Sequence, residues 1–128
     1  MDIIVPELGD ADLEQLRLIS AQLKKDFQME QLNWNYVDSE ISAEGLVGYL
    51  TERIRHLIIN SDNKLIRLLY RIDVSEEMLS SYSVSSSETL NETVLCKKIL
   101  ERTFQKVLLR EAYKKYSSGA HDDNIIDS

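Results

Sequence analysis

Five basic residues in the last third of the 128-residue chain recur at a strict spacing of four: Lys98, Arg102, Lys106, Arg110 and Lys114. On a helix of 3.6 residues per turn each step drifts by about 40°, so the five form a winding basic stripe. Cations in such a row can neutralise a line of phosphates. Arg102, Lys106 and Arg110 have no acidic residue three or four positions away, so water, another helix or a ligand must neutralise them. Internal pairing with an acidic first helix, through Asp26 or Glu30, is the preferred expectation, with the C-terminal dipole favouring Lys114 and Lys115. A basic face without base-reading polar residues is a weak sign of nucleic-acid binding. Arg67 and Arg71, one turn apart upstream, pose the same question. Each head group must reach a carboxylate of another segment or solvent, or else the pair marks an anion site. Arg67, Arg71, Arg102, Lys106 and Arg110 are therefore the candidate anion-binding residues.

Other residue types capable of chemistry read as structural. The single cysteine, Cys96, falls among Leu100, Thr103 and Val107 on one helix face, where a small buried apolar residue is expected and no basic environment lowers its pKa. His56 follows Glu52 by four residues, the spacing of a solvated pair rather than a catalytic dyad. His121 with Asp122 and Asp123 offers metal-binding atoms, but near a chain end they lack a rigid frame. The cluster Ser80-Ser81-Tyr82-Ser83-Val84-Ser85-Ser86-Ser87 could accept phosphate and is read as a polar connection with a helix cap. Trp34 and Tyr36 suit a partner anchor, but packing over the end of a bundle is preferred. The chain has no Gly-rich phosphate loop, no Gly-x-Ser-x-Gly elbow and no His-Glu-x-x-His pair. No catalytic residue, metal ligand or cofactor is assigned.

The elements that must position these residues are helices. A chain this long forms one ordinary domain, and 43% hydrophobic with 29% charged residues excludes wholesale disorder. One proline and four glycines leave long uninterrupted stretches. The apolar runs Ile3-Ile4-Val5, Leu57-Ile58-Ile59 and Val107-Leu108-Leu109 are too short to span a bilayer, so no membrane insertion is expected. One cysteine supports no disulfide framework, which makes a reducing, cytoplasmic setting the default. The net charge of −7 is uneven. Residues 1–50 hold three basic against ten acidic side chains, residues 51–116 twelve against nine, and the last twelve none against three.

Residues 1–9 contain the apolar run Ile3-Ile4-Val5, closed by Pro6, and read as an extended arm packing on the domain, with a lone edge strand as the alternative. The first helix is expected from Asp10 or Asp12 to about residue 32, with Leu13, Leu16, Ile19, Leu23 and Phe27 on one stripe. Ser42 caps a second helix of about 43–59, carrying Ala43, Leu46, Val47, Leu50, Ile54, Leu57 and Ile58. Asn60-Ser61-Asp62 stops it and starts a third, about 63–72. That helix carries Leu65, Leu68, Leu69 and Ile72 on one side and Ile66 and Tyr70 on another, which predicts a place in the middle of a bundle. Asp73 with Glu76, and Ser85 with Glu88, have capping-box spacing, for a short helix ending near Ser81 and a long one over about 88–116. Ser117-Ser118-Gly119 should stop the long helix and leave a disordered acidic tail. The expected fold is an all-α bundle of four principal helices plus one short helix, a single domain over 1–116 with a flexible acidic tail over 117–128.

The run from Leu65 to Glu76, Leu-Ile-Arg-Leu-Leu-Tyr-Arg-Ile-Asp-Val-Ser-Glu, resembles a segment of small uncharacterised bacterial helical proteins, and the similarity covers about residues 45–115. That group has no established activity, so the resemblance implies no catalytic residue. It implies a bacterial cytosolic setting.

The apolar stripe of the last helix changes sides. Cys96, Leu100, Thr103, Phe104 and Val107 point one way, and Leu109, Ala112, Tyr113 and Tyr116 nearly the opposite way. A straight helix cannot bury both against one neighbour, so either the chain bends near 107–109 or the end meets a second surface, which could belong to another subunit. The expectation is a small non-catalytic interaction or regulatory protein, a homodimer included, using Leu109, Ala112, Tyr113 and Tyr116 toward a protein partner not identifiable from sequence. The alternative is a nucleic-acid-associated protein using the basic stripe. A third, weaker option is an enzyme or small-ligand binder with its pocket between helices near Arg67, Tyr70 and Arg71.

Overall fold

A computed structural model describes residues 7–60, 63–74 and 92–124, with side chains as far as Lys115. Among the described residues the chain is all-helical, with four helices, two 3₁₀ turns and no strand. Helix α1 spans Leu13–Met29, α2 Ala43–Asn60, α3 Asn63–Ile72 and α4 Glu92–Asn124. The expected short helix ending near Ser81, the serine cluster, the Ser85–Glu88 capping box and the first six residues of the arm lie outside the described residues.

Local chemistry sets the helix ends. Asp12 Oδ1 accepts from the Gln15 backbone N–H at 2.8 Å, while Gln15 Oε1 accepts from the Asp12 N–H at 3.0 Å. This reciprocal box satisfies two backbone donors that the first turn leaves open. At the other end of α1, Gln31 takes a left-handed conformation at φ 62°, and the Leu32 N–H reaches back to the Phe27 carbonyl at 2.8 Å. Ser42 Oγ caps α2 by accepting from the Gly45 N–H at 3.0 Å. Asp73 ends α3 as Gln31 ends α1, with φ 74° and the Val74 N–H on the Leu69 carbonyl at 3.0 Å. Asp73 therefore terminates one helix, where its spacing to Glu76 suggests the start of another.

The core forms where these stripes converge. Leu16, Ile19, Leu23 and Phe27 of α1 are buried with Leu46, Leu50, Ile54 and Leu57 of α2. Leu65, Leu68, Leu69 and Ile72 join from α3, and Leu95, Cys96, Ile99, Leu100, Thr103, Phe104 and Val107 from α4. The principal contacts are α1 with α4 and α2 with α4, and α3 touches all three. The helix at the centre is thus α4. The expectation that α3 lies in the middle fails on its second side, where Ile66 and Tyr70 remain more than half exposed. Leu13 also leaves the α1 stripe, at half exposure, because it stands at the helix start.

Trp34 closes one end of the bundle. Its ring lies 4.9 Å from Phe27 and 4.8 Å from Tyr49, and Tyr36 stands 5.4 Å from Tyr49. The Tyr49 hydroxyl accepts from the Asn35 N–H at 2.6 Å, tying the connection to α2. These aromatics are packing groups, as their sequence context suggests.

Two boundaries differ from expectation. Leu8–Asp10 is a 3₁₀ turn rather than extended chain, with the Ala11 N–H on the Leu8 carbonyl at 3.0 Å, and it packs against α2 and α4. Helix α4 continues through Ser117-Ser118-Gly119 to Asn124, past the end expected near residue 116. Serine and glycine each keep a backbone N–H and cost at most about 1 kcal/mol relative to alanine. Elongating an existing helix adds a hydrogen bond per residue, so such residues slow a helix without ending it.

Candidate functional site

The five candidate anion-binding cations converge on one seam where α1, α3 and the middle of α4 meet, whereas Lys98 pairs with Glu101 at 3.6 Å within α4 and Lys114 is exposed. Glu30, just past the end of α1, lies at its centre. Its Oε2 is 2.7 Å from Arg71 Nε and its Oε1 is 3.7 Å from Arg67 Nε. On α4, Arg102 Nη2 donates to Asp73 Oδ2 at 2.7 Å and Nη1 to Gln105 Oε1 at 2.6 Å. Lys106 Nζ donates to the Arg71 carbonyl at 3.3 Å, which joins α4 to the end of α3. Arg110 Nη2 donates to Gln22 Oε1 at 2.8 Å, and Gln22 Nε2 in turn donates to the buried Asp26 at 3.2 Å.

All five candidate anion-binding residues therefore have protein partners, but of two kinds. Arg67, Arg71 and Arg102 face carboxylates, whereas Lys106 and Arg110 donate to neutral oxygens. Burial holds the Lys106 ammonium below the ordinary lysine value. Asp26 and Asp73 oppose that shift, and the like charges of Arg102 and Arg110 add to it. Of the two expected acidic partners, Glu30 serves α3 rather than α4, and Asp26 acts on Lys106 through its field and on Arg110 through Gln22.

Sequence reasoning missed Gln22 and Asp73 as members of this seam. Gln22 precedes Asp26 by four residues, so both lie on one face of α1. That spacing was the available signal, whereas Asp73 gave none because its left-handed conformation is a tertiary outcome.

The second stripe of α4 stands apart from this seam. Leu109 is half-buried, Ala112 is exposed and Tyr113 is 72% exposed. The Tyr116 side chain lies outside those described. From Arg110 to Lys115 every residue is exposed. At 1.5 Å per residue α4 is about 50 Å long, against about 26 Å for α1. The end of α4 thus outruns the helices that pack its first half, and Ala112 and Tyr113 stay exposed beyond them.

A third feature is a cavity of about 260 Å³ between α2, α4 and the turn at Leu8. Val47, Leu100 and Phe104 form apolar walls, with Thr51 and Lys97 among its lining residues. Cys96 also lines it, with Sγ 3.7 Å from the Val47 carbonyl. Burial pushes the Cys96 thiol above its ordinary value, against a smaller opposite effect of Thr51, so it is a poor nucleophile. Glu52 pairs with Arg55 at 3.0 Å, and the ring of His56 faces Asn60 rather than Glu52. Among the described residues no group of three or more His, Cys, Asp or Glu side chains is placed to hold a metal ion, and no helix is long and apolar enough to cross a membrane.

No protein-family model, no curated protein and no solved structure matches the chain.

Proposed function

We propose that the protein is a small non-catalytic interaction or regulatory protein that engages a protein partner, a second copy included, through the projecting end of α4. The observation that carries this reading is the exposed pair Ala112 and Tyr113, beside half-buried Leu109, on a helix that outruns its neighbours. Tyrosine suits such a surface, since its ring buries area while its hydroxyl stays at a wet rim. A cytosolic setting is part of the proposal and accords with a buried free thiol at Cys96.

The test is a photo-crosslinking amino acid placed at position 112 in cells of the source organism, with exposed position 17 as control. A discrete protein adduct at 112 and none at 17 is the expected outcome. Loss of the 112 adduct, or a nucleic-acid adduct in its place, overturns the reading.

A second reading, nucleic-acid association along the basic stripe, draws on Lys106 and Arg110, whose hydrogen-bond partners are neutral. It predicts salt-dependent retention of a labelled duplex that falls when Arg110 and Lys114 are replaced by alanine. The ion pairs of Arg102 and Arg71 weigh against it, since those cations already face carboxylates.

A further inference from the structure

We propose that the cavity between α2, α4 and the turn at Leu8 is a binding site for a compact, uncharged and mainly apolar molecule that carries a hydrogen-bond donor.

The cavity forms where short side chains meet. Val47 and Thr51 of α2 line it together with Cys96 of α4, whose Sγ lies 3.7 Å from the Val47 carbonyl. Leu8, Leu100 and Phe104 complete the walls without filling the space. Atoms that border such a space lack contacts on one side, and an apolar body of matching size restores them. A dry cavity of about 150 Å³ holds benzene, so the volume of about 260 Å³ here gives room for about ten non-hydrogen atoms. Val47, Lys97 and Glu101 are exposed, so the cavity is open to solvent and entry requires no unfolding.

Hydrogen bonding and charge narrow the class of ligand. The Thr51 hydroxyl donates to the Val47 carbonyl at 2.7 Å, and the Cys96 thiol is directed at the same oxygen. Both donors are thus committed, whereas Thr51 Oγ1 keeps acceptor capacity. A ligand that brings an N–H or O–H group can use that oxygen. A ligand that brings only acceptors finds no donor among these side chains and loses its hydration without compensation. The charged lining residues are Glu7, Lys97 and Glu101, and Glu101 pairs with Lys98 at 3.6 Å. The two acidic and two basic groups oppose each other, so the mouth favours neither an anion nor a cation. An aromatic ring or branched chain with one N–H or O–H group meets these conditions, and indole is a suitable probe.

Methyl NMR on the full chain, titrated with indole to about 10 mM, tests the site. The methyl groups of Leu8, Val47, Thr51 and Leu100 should shift together and saturate, with a Kd of about 0.1–1 mM, while Leu68 of the α3 core stays unchanged. Val47→Trp adds a large side chain at an exposed position of α2 and should abolish the saturable shifts, with circular dichroism showing that the bundle is retained. Thr51→Val keeps the shape and removes the acceptor, so indole should bind about three- to ten-fold more weakly. 1-Methylindole, which has no donor, should bind the parent and Thr51→Val equally. Benzoate, an anion without a donor, should bind at least about ten-fold more weakly than indole. Absence of saturable shifts, or indole binding that survives Val47→Trp unchanged, overturns the site. Benzoate as tight as indole, or indole insensitive to Thr51→Val, overturns the class of ligand assigned to it.

Discussion

Glu30 and Arg71 stand 41 residues apart in sequence, and Glu30 Oε2 lies 2.7 Å from Arg71 Nε. The pair clamps the end of α1 to the end of α3, and the carbonyl of the same Arg71 accepts from Lys106 of α4. Glu30 is nearly enclosed, at 13% side-chain exposure, while Arg67, its second cation, is 60% exposed. The two arginines should therefore contribute unequally. Arg71→Ala is expected to cost about 1–2 kcal/mol and Arg67→Ala less than about 0.5 kcal/mol. Urea denaturation measures both, and equal losses would show that Glu30 does not discriminate between them.

Lys106 supplies a pH dependence of defined sign. Its pKa is lowered in the fold, chiefly by desolvation. Below the folded value both folded and unfolded chains carry the proton, and the penalty for burying the charge is present in full. Between that value and the ordinary lysine value of about 10.4, the unfolded chain binds more protons, so this contribution to stability rises with pH. Lys106→Met removes the titration. The stability of the parent relative to this variant should therefore improve as pH is raised from about 7 toward 10. Parallel pH curves for the two proteins would contradict the assignment.

Much of the fold was legible because the apolar residues keep helical spacing and the breaks have recognisable caps. The bounds of α3 are those expected, since the capping residues of Asn60-Ser61-Asp62 and of Asp73-Val74-Ser75-Glu76 flank a ten-residue run in the sequence. Leu68 and Leu69 lie in the core for the same reason. The end of α4 was not legible, because serine and glycine lower helix propensity without forbidding a helix. The central place expected of α3 fails because periodicity shows which faces are apolar but not which of them a neighbour covers. In the candidate site, the need of Arg67 and Arg71 for a carboxylate followed from charge alone. Gln22 and Asp73 could not be foreseen as partners, because they meet α4 only when three helices close.

Thr103 is fully buried, and its hydroxyl finds no hydrogen-bond partner among the described residues. An unpaired buried hydroxyl loses its hydration without compensation. Thr103→Val keeps the branched shape and removes the polar atom. The variant should be more stable by about 1 kcal/mol in urea or thermal denaturation. A loss of stability would mean that the hydroxyl is satisfied.

Gln31 holds a left-handed conformation at φ 62°, where a side chain is strained by about 1 kcal/mol. Glycine relieves that strain but adds freedom to the unfolded chain. Gln31→Gly should give a net gain of about 0.5 kcal/mol by chemical denaturation. Asp73 has the same backbone geometry at φ 74°, yet it also pairs with Arg102. Asp73→Gly should therefore show no gain, and equal gains at both sites would mean that the Asp73–Arg102 pair contributes nothing.

Gly45 and Gly48 both lie in α2 and separate the effect of helix propensity from that of space. A Cβ at Gly48 meets nothing within 4 Å, so alanine there should stabilise the helix by up to about 1 kcal/mol. A Cβ at Gly45 would stand 2.6 Å from the Tyr36 hydroxyl and 3.0 Å from Ser42 Oγ, the atom that caps this helix. The same substitution at Gly45 must displace the tyrosine or the cap, which offsets the gain in propensity. Gly48→Ala should therefore raise the melting temperature and Gly45→Ala should not, while Tyr36→Phe added to Gly45→Ala restores part of the difference by removing the nearest atom. If both alanines raise the melting temperature equally, the contact between Tyr36 and the start of α2 is too loose to position the aromatic cluster against Trp34.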